Sequence, residues 1–429
     1  MSEDDQPVEN TVLSGPGEPE KPAERYQLGL CLSGGGYRAM LFHAGSLARL
    51  NGAGLLAKLD MISSVSGGSI ASGLLAYVWP RLIFENEVAV NFKTEYLNRI
   101  LAFSQVFADG PSFLKGVFNP FSSAAEEAAK LYERHLFDGK SQSLCDLPKS
   151  PWFVFCSSNL STGSLFRMSN RYLADYRIGV SFHPTLSLAT AVAASAAFPP
   201  VLSPLRLDLS QFSWKREKLD DSVGEPVAPG RAILSDGGIY DNHGIEPALK
   251  RCDCLFVSDA GAPWRSSTRG YWNYLSQLKR VLDTTDNQVR SLRRRDLIGG
   301  FKAAKQADRL GLDDLAKSAL RARTRGVYWS IDSKDVELKP YASYTLPPSS
   351  VVPSEVGTYL HFLGAKETEY LTNWGHYVCD AMLNRFYQSP LAPSSGPPLV
   401  AGTVKPALAA RASKRLFDFI PFKRKPGAG

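Results

Sequence analysis

Three short turns in this chain hold residues that can do chemistry. The first, Ser33-Gly34-Gly35-Gly36-Tyr37-Arg38-Ala39, closes the apolar run 28–32 and opens a helical pattern. Consecutive glycines let backbone N–H groups converge without Cβ obstruction, at a helix N-terminus whose dipole favours negative charge. Such a loop can bind an oxyanion or a phosphate. The second turn, Ser64-Val65-Ser66-Gly67-Gly68, follows the apolar run 61–63 and matches a nucleophile elbow, except that Ser64 replaces the first glycine. A tight strand-to-helix turn aims the Ser66 hydroxyl at a helix N-terminus, where an alkoxide is favoured. An activated serine needs a base, and the third turn, Ser235-Asp236-Gly237-Gly238, sets a carboxylate at the end of the strand run 232–234.

Other chemistries fit parts of the pattern. Gly34, Gly36 and Ala39 also satisfy the G-x-G-x-x-A dinucleotide fingerprint. A Rossmann unit wants an acidic residue at the end of its second strand, where this chain has the 64–68 turn, and Asp60 precedes that strand. An α/β-hydrolase triad would need a histidine after the acid and an elbow several strands into the sheet. Here the elbow closes the second strand run, His243 lies only seven residues after Asp236, and His361 and His376 fall in or near an apolar helical pattern that suits structural histidines. His43, one turn beyond Arg38, suits packing. No histidine is therefore given a catalytic role. Arg38 itself fits either a surface ion pair or a clasp on the glycine loop.

In the order glycine loop, serine elbow, Asp-Gly-Gly, the three turns resemble the patatin-like phospholipase family, whose active site is a Ser/Asp dyad. The likeness extends to Ser195-Ala196-Ala197-Phe198-Pro199-Pro200 and to Asp241-Asn242, and covers residues 26–260. Carried over position by position, it implies Ser66 as nucleophile and Asp236 as general base. It also implies an oxyanion hole of Gly34, Gly35 and Gly36, with Arg38 at the family's cationic position. The implied reaction is hydrolysis of carboxylic esters of phospholipids or lysophospholipids through an acyl-enzyme, with no metal and no organic cofactor. The family also holds triacylglycerol lipases and acyltransferases, and a catalytically silent lipid-binding protein on the same fold stays open beside them.

The elements that must position these turns alternate. Apolar strand runs at 28–32 and 61–65 are each followed by helical periodicity, at 39–50 and 70–78, which favours a parallel sheet covered by helices. Short apolar runs at 152–156, 232–234 and 254–257 continue the sheet, and 327–331 adds a strand. Helices are expected over 271–295, 313–323 and 366–386, and an exposed loop over 215–231. The expectation is an α/β, three-layer fold with a mainly parallel central sheet. Its catalytic domain spans 26–388, with a helical insertion near 91–136, a disordered acidic tail over 1–25, and a Pro-rich linker with a basic, aromatic tail over 389–429.

Composition fits a folded enzyme, with 44% hydrophobic and 21% charged residues and a net charge of +7. The charge is uneven. An acidic start faces a C-terminal stretch, 411–425, that interleaves Arg411, Lys414, Arg415, Lys423, Arg424 and Lys425 with Leu416, Phe417, Phe419, Ile420 and Phe422, and suits an anionic membrane surface. Arg290, Arg293, Arg294 and Arg295 read most simply as a solvated helix face, or as a phosphate-facing patch. Six cysteines, Cys31, Cys145, Cys156, Cys252, Cys254 and Cys379, suit a reducing compartment, and none stands at metal-ligand spacing with a histidine. The polar start lacks the pattern of a secretory signal, and no apolar stretch is long enough to span a bilayer. A cytoplasmic protein, or one peripheral at the inner membrane surface, is expected, with no nucleic-acid partner.

Overall fold

The computed structural model describes residues 25–106, 123–199, 202–215, 227–261, 263–264, 266, 273–313, 316–317, 324–357, 363–387, 389, 391–399 and 402–404. The expected acidic tail up to residue 24, the middle of the 91–136 insertion, most of the 215–231 loop and of the 313–323 helix, His361, Pro200 and the 411–425 stretch lie outside them.

The strand runs near the N-terminus are buried on both faces and divide their side chains between two cores. Strand β1 (Tyr26–Leu32) leads through the glycine loop into helix α1 (Gly36–Gly52), and β2 (Met61–Val65) leads through Ser66 into α2 (Gly67–Val78). Helix α3 (Ala124–His135) precedes strand β3 (Trp152–Asn159), which is followed by β4 (Ser164–Ser169), β5 (Tyr172–Asp175), β6 (Gly179–Phe182) and helix α4 (Leu188–Ser195). Strand β7 (Leu205–Asp208) and β8 (Arg231–Asp236) lead to the single turn α5 (Gly238–Asp241), then come β9 (Cys252–Asp259), α6 (Tyr274–Arg309), β10 (Arg325–Ser330) and α7 (Ala365–Phe386). Leu28, Leu30, Leu32, Ile62, Phe153 and Phe155 face the larger core, under α1, α2, α4 and α7. Cys31, Met61, Trp152, Val154 and Cys156 face the smaller one, together with Ile245, Ala248 and Leu297 of the layer that holds α6. Alternation along each strand thus demands a helical layer on either side, giving the three-layer α/β fold.

The sheet is mixed, and its order is β10-β9-β1-β2-β3-β4-β5-β6. From β10 to β3 the strands run parallel, so the loops after β1 and β2 emerge at one edge, side by side. From β3 to β6 they run antiparallel. Strand β3 has a further partner. Its first half pairs with β2 up to Val65 opposite Cys156, and its second half pairs antiparallel with β8 down to Asp236 opposite Ser157. Because β4 occupies the other edge of β3 from Val154 to Asn159, β2 and β8 share one edge and meet end to end.

Helices α1 and α7 hold the larger core closed by direct backbone contact. A Cβ at Gly45 would stand 1.8 Å from the Thr372 carbonyl oxygen, and one at Gly375 would stand 1.9 Å from that of Phe42. Beside this crossing the buried Arg49 guanidinium meets Asp380 at 2.6 Å. Gly45→Val or Gly375→Val must push the helices apart, and overpacking of this kind costs about 1–3 kcal/mol or more. Both variants should show a lower denaturation midpoint, whereas Gly52→Ala, with open space around its Cβ, should not. Urea unfolding of the three proteins checks this.

Candidate active site

The meeting of β2 and β8 on β3 brings Ser66 and Asp236 together. Ser66 has φ 52° and ψ −121°, a left-handed region that disfavours side chains other than glycine's. Such strain costs about 1–3 kcal/mol and persists only where the surroundings over-determine it. The surroundings here do so. The Ser66 N–H donates to Ser195 Oγ at 3.1 Å, and Ser195 Oγ donates to the Cys156 carbonyl at 2.5 Å. Ser195 also meets Ser69 Oγ at 2.8 Å, while Ser64 Oγ accepts from Ser69 at 3.0 Å and from Ser72 at 2.6 Å. Ser64, the departure from the elbow pattern, is thus the acceptor of a hydroxyl network beneath the turn. Gly67 is required by close approach, since a Cβ there would stand 2.1 Å from the Gly36 carbonyl oxygen. The elbow and the glycine loop therefore touch backbone to backbone.

Asp236 is held by main chain as well. Its N–H donates to Ala197 O at 2.8 Å, its carbonyl accepts from Ser158 Oγ at 2.8 Å, and its Oδ1 accepts the Gly238 N–H at 2.8 Å. Oδ2 is buried and makes no hydrogen bond of ordinary geometry among the described residues. Burial pushes this carboxyl up to about 6, against the opposing pull of the neighbouring Ser66 hydroxyl and the Gly238 amide. Ser66 therefore stands beside a carboxylate whose outer oxygen is still open. Hydrogen bonds of this kind often tighten only when substrate is bound.

The glycine loop lies over the pair. Gly34 donates its N–H to Asn242 O at 3.0 Å, which spends that amide, whereas the Gly35 and Gly36 amides donate to nothing among the described residues. Gly35, at φ 138°, needs the freedom of a residue without a side chain. Arg38 is buried and clasps the loop, donating to Ala260 O at 2.6 Å and Val356 O at 3.0 Å. His43 fixes the same loop from below. Burial pushes its imidazole down to about 4, so the ring is neutral. The Ser33 carbonyl, 2.9 Å from Nε2, can only accept, so Nε2 carries the proton and Nδ1, 2.8 Å from Ser258 Oγ, accepts. A hydroxyl, an open carboxylate oxygen and two unspent amides at a helix N-terminus can together run acyl transfer.

Other sequence candidates settle elsewhere. Asp241 is spent as a turn cap, its oxygens accepting from the N–H groups of His243 at 3.2 Å and Glu246 at 2.8 Å. His376 pairs with the Tyr344 hydroxyl at 2.8 Å on α7, and burial pushes it down to about 3. The arginine cluster on α6 is not simply a solvated face. Arg290 reaches Asp259 at 3.3 Å and Arg293 reaches Glu246 at 3.1 Å, because α6 lies over a buried and a half-buried carboxylate that no local pattern reveals; Arg295 stays exposed. Among the described residues no group of acidic, His and Cys side chains could hold a metal, and no helix is long and apolar enough to cross a membrane. Ser195 and Asn242 belong to the segments that carry the family likeness, but sequence reasoning assigns neither a role; their hydrogen bonds to the Ser66 N–H, the Cys156 carbonyl and the Gly34 N–H link segments far apart in the chain. At the rim, Phe198 and Ile239 are about half exposed, each within three residues of a backbone group that fixes Asp236.

A family model described as patatin-like phospholipase matches residues 30–249, a little over half of the 429 residues. The chain belongs to this family. Among solved structures, a human GIVD cytosolic phospholipase A2 matches at 15% identity over 54% of this chain and 45% of its own, with a TM-score of 0.37. The same human enzyme in complex with methyl gamma-linolenyl fluorophosphonate matches at 13% identity over 84% of this chain and 58% of its own, with a TM-score of 0.47. VipD from Legionella pneumophila matches at 14% identity over 85% of this chain and 67% of its own, with a TM-score of 0.35. The chain spans about half the length of the first of these structures. No curated protein matches it.

The raised pKa of Asp236 has a consequence for stability. From its ordinary 3.8 up to about 6, the folded protein holds a proton that the unfolded chain has released. The stability linked to this group is therefore complete below pH 4 and is lost as pH rises through 6. Asp236→Asn should melt higher than the wild type at pH 8, by on the order of 2–3 kcal/mol at about 1.4 kcal/mol per pKa unit. The gap should close at pH 4. Melting curves of the two proteins at both pH values check this.

Proposed function

We propose that this protein is a lipid acyl hydrolase that cleaves carboxylic ester bonds of phospholipids or lysophospholipids through Ser66 and Asp236. One juxtaposition supports the reading: a serine hydroxyl on a strained elbow, beside a buried carboxylate with an open oxygen, under two amides that donate to nothing else among the described residues. Membership of the patatin-like phospholipase family supports a lipid substrate.

In this reading Asp236 takes the Ser66 proton as Oγ attacks the ester carbonyl carbon, and the Gly35 and Gly36 amides hold the oxyanion that develops. Collapse of the tetrahedral intermediate breaks the ester C–O bond, and the departing alcohol leaves with the proton from Asp236. Asp236 then draws a proton from a water whose oxygen attacks the acyl-enzyme, and returns it to Ser66 Oγ as the acyl C–Oγ bond breaks, which releases the fatty acid and restores both residues. A carboxyl with a pKa near 6 suits both steps, because it is ionised at neutral pH and still basic enough to take a proton.

A fluorophosphonate probe should label the wild type and fail to label Ser66→Ala; equal labelling would remove Ser66 as nucleophile. Asp236→Asn should fold yet lose about three orders of magnitude or more in turnover, in line with lost triad members elsewhere. Turnover of the wild type should rise with pH through about 6, as the base ionises. We also propose that the 411–425 stretch holds the enzyme to anionic membrane surfaces. Deletion after Pro406 should weaken sedimentation with phosphatidylserine vesicles and spare hydrolysis of a soluble ester.

A further inference from the structure

Behind the glycine loop lies a second cluster of titratable groups that the reaction does not use. Asp259, at the end of β9, is almost wholly buried. Its Oδ2 accepts from the Tyr328 hydroxyl at 2.6 Å and lies 3.2 Å from His243 Nε2 and 3.3 Å from Arg290. Its Oδ1 accepts the Gly261 N–H at 2.8 Å. Burial pushes the Asp259 carboxyl up, but Arg290 and His243 outweigh it and hold the group well below the usual carboxylate range. As an acceptor only, this carboxylate takes its hydrogen bond from an Nε2–H of His243.

The neighbours of this pair along the chain matter. The residue before His243 is Asn242, whose carbonyl takes the Gly34 N–H. The residue after Asp259 is Ala260, whose N–H donates to Ser33 Oγ at 2.7 Å and whose carbonyl takes Arg38 at 2.6 Å. The loop is gripped from one side by Asn242 and from the other by Ala260. Each grip is one residue from the His243–Asp259 contact, which ties the segment after Asp236 to the end of β9.

We infer that His243 and Asp259 are positioning residues, closing a clamp whose two jaws, Asn242 and Ala260, hold the glycine loop in register over Ser66. The inference rests on the hydrolase reading only for its kinetic consequence. With the clamp open, the Gly35 and Gly36 amides no longer meet the oxyanion squarely, and a misplacement of 1 Å can cost about 10²-fold in rate. Ground-state binding of a small ester is affected less.

The test uses His243→Phe, which keeps a ring against Tyr328 but removes the donor, and His243→Gln, which keeps a donor. Turnover of a short-chain ester is measured per active site titrated with fluorophosphonate, so that loss of folded protein does not count as loss of rate. His243→Phe should lower kcat about 10²-fold with KM moved only a few-fold, and His243→Gln should recover most of it. Exchange of the Gly34 amide hydrogen, followed by mass spectrometry on the loop peptide, reads the clamp without catalysis. It should quicken about tenfold or more in His243→Phe and not in His243→Gln. Should His243→Phe fail to fold, Tyr328→Phe removes one donor to Asp259 and should quicken the same exchange. Unchanged exchange in the folded variant, or unchanged kcat per titrated site, overturns the clamp. A Ser66→Ala protein that still reacts with the probe overturns the hydrolase reading alone, because the exchange result stands apart from it.

Discussion

Everything in the site depends on one edge of one strand. Along β3, main-chain hydrogen bonds fix β2 up to Cys156 and β8 down to Ser157, on neighbouring rungs. A strand advances about 3.3 Å per residue, so the ladder sets how far apart the two strand ends can lie. No long side chain and no ion pair is needed to bring Ser66 to Asp236. Small hydroxyls do the remaining work where the two strands abut: Ser157 donates to Ser235 O at 2.6 Å and Ser158 to Asp236 O at 2.8 Å, binding backbone groups that a continuous ladder would have paired.

That arrangement holds two unfavourable states in place. A non-glycine residue sits at positive φ, and a carboxyl is buried with one oxygen lacking a close partner among the described residues. Both would relax in a softer surrounding. They persist because the elbow rests on the glycine loop and on Ser195, and because the larger core behind them is closed by α1 and α7 in backbone contact. The tightly closed core thus lies behind the strained turn, and the candidate site draws on stability supplied elsewhere.

The parallel half of the fold was legible because its strands are apolar runs and its helices follow at the right period. β1, β2, α1, α2 and α7 fall where periodicity puts them, and the three turns lie at strand ends as their glycines imply. The antiparallel half was not. β4, β5 and β6 bury Arg167, Ser169, Asp175 and Ser181, polar residues whose burial depends on partners distant in sequence, such as Asn159, which donates to Asp175 at 2.9 Å. Helix α6 runs on past its expected end at 295 to Arg309, through Gly299 and Gly300, which weaken the helical pattern without ending the helix. Gly34 was grouped with Gly35 and Gly36, since nothing local says that its amide is taken by Asn242. The candidate residues can be named from their turns; the partners that hold them come from other parts of the chain.

Phe198 and Ile239 stand half exposed on segments whose backbone is already pinned at Asp236. Their side chains bear no part of the ladder that sets the reacting geometry. Substitutions there can alter the exposed surface and leave Ser66 and Asp236 unmoved. Size and polarity at positions 198 and 239 are therefore free to vary without strain on the backbone between them.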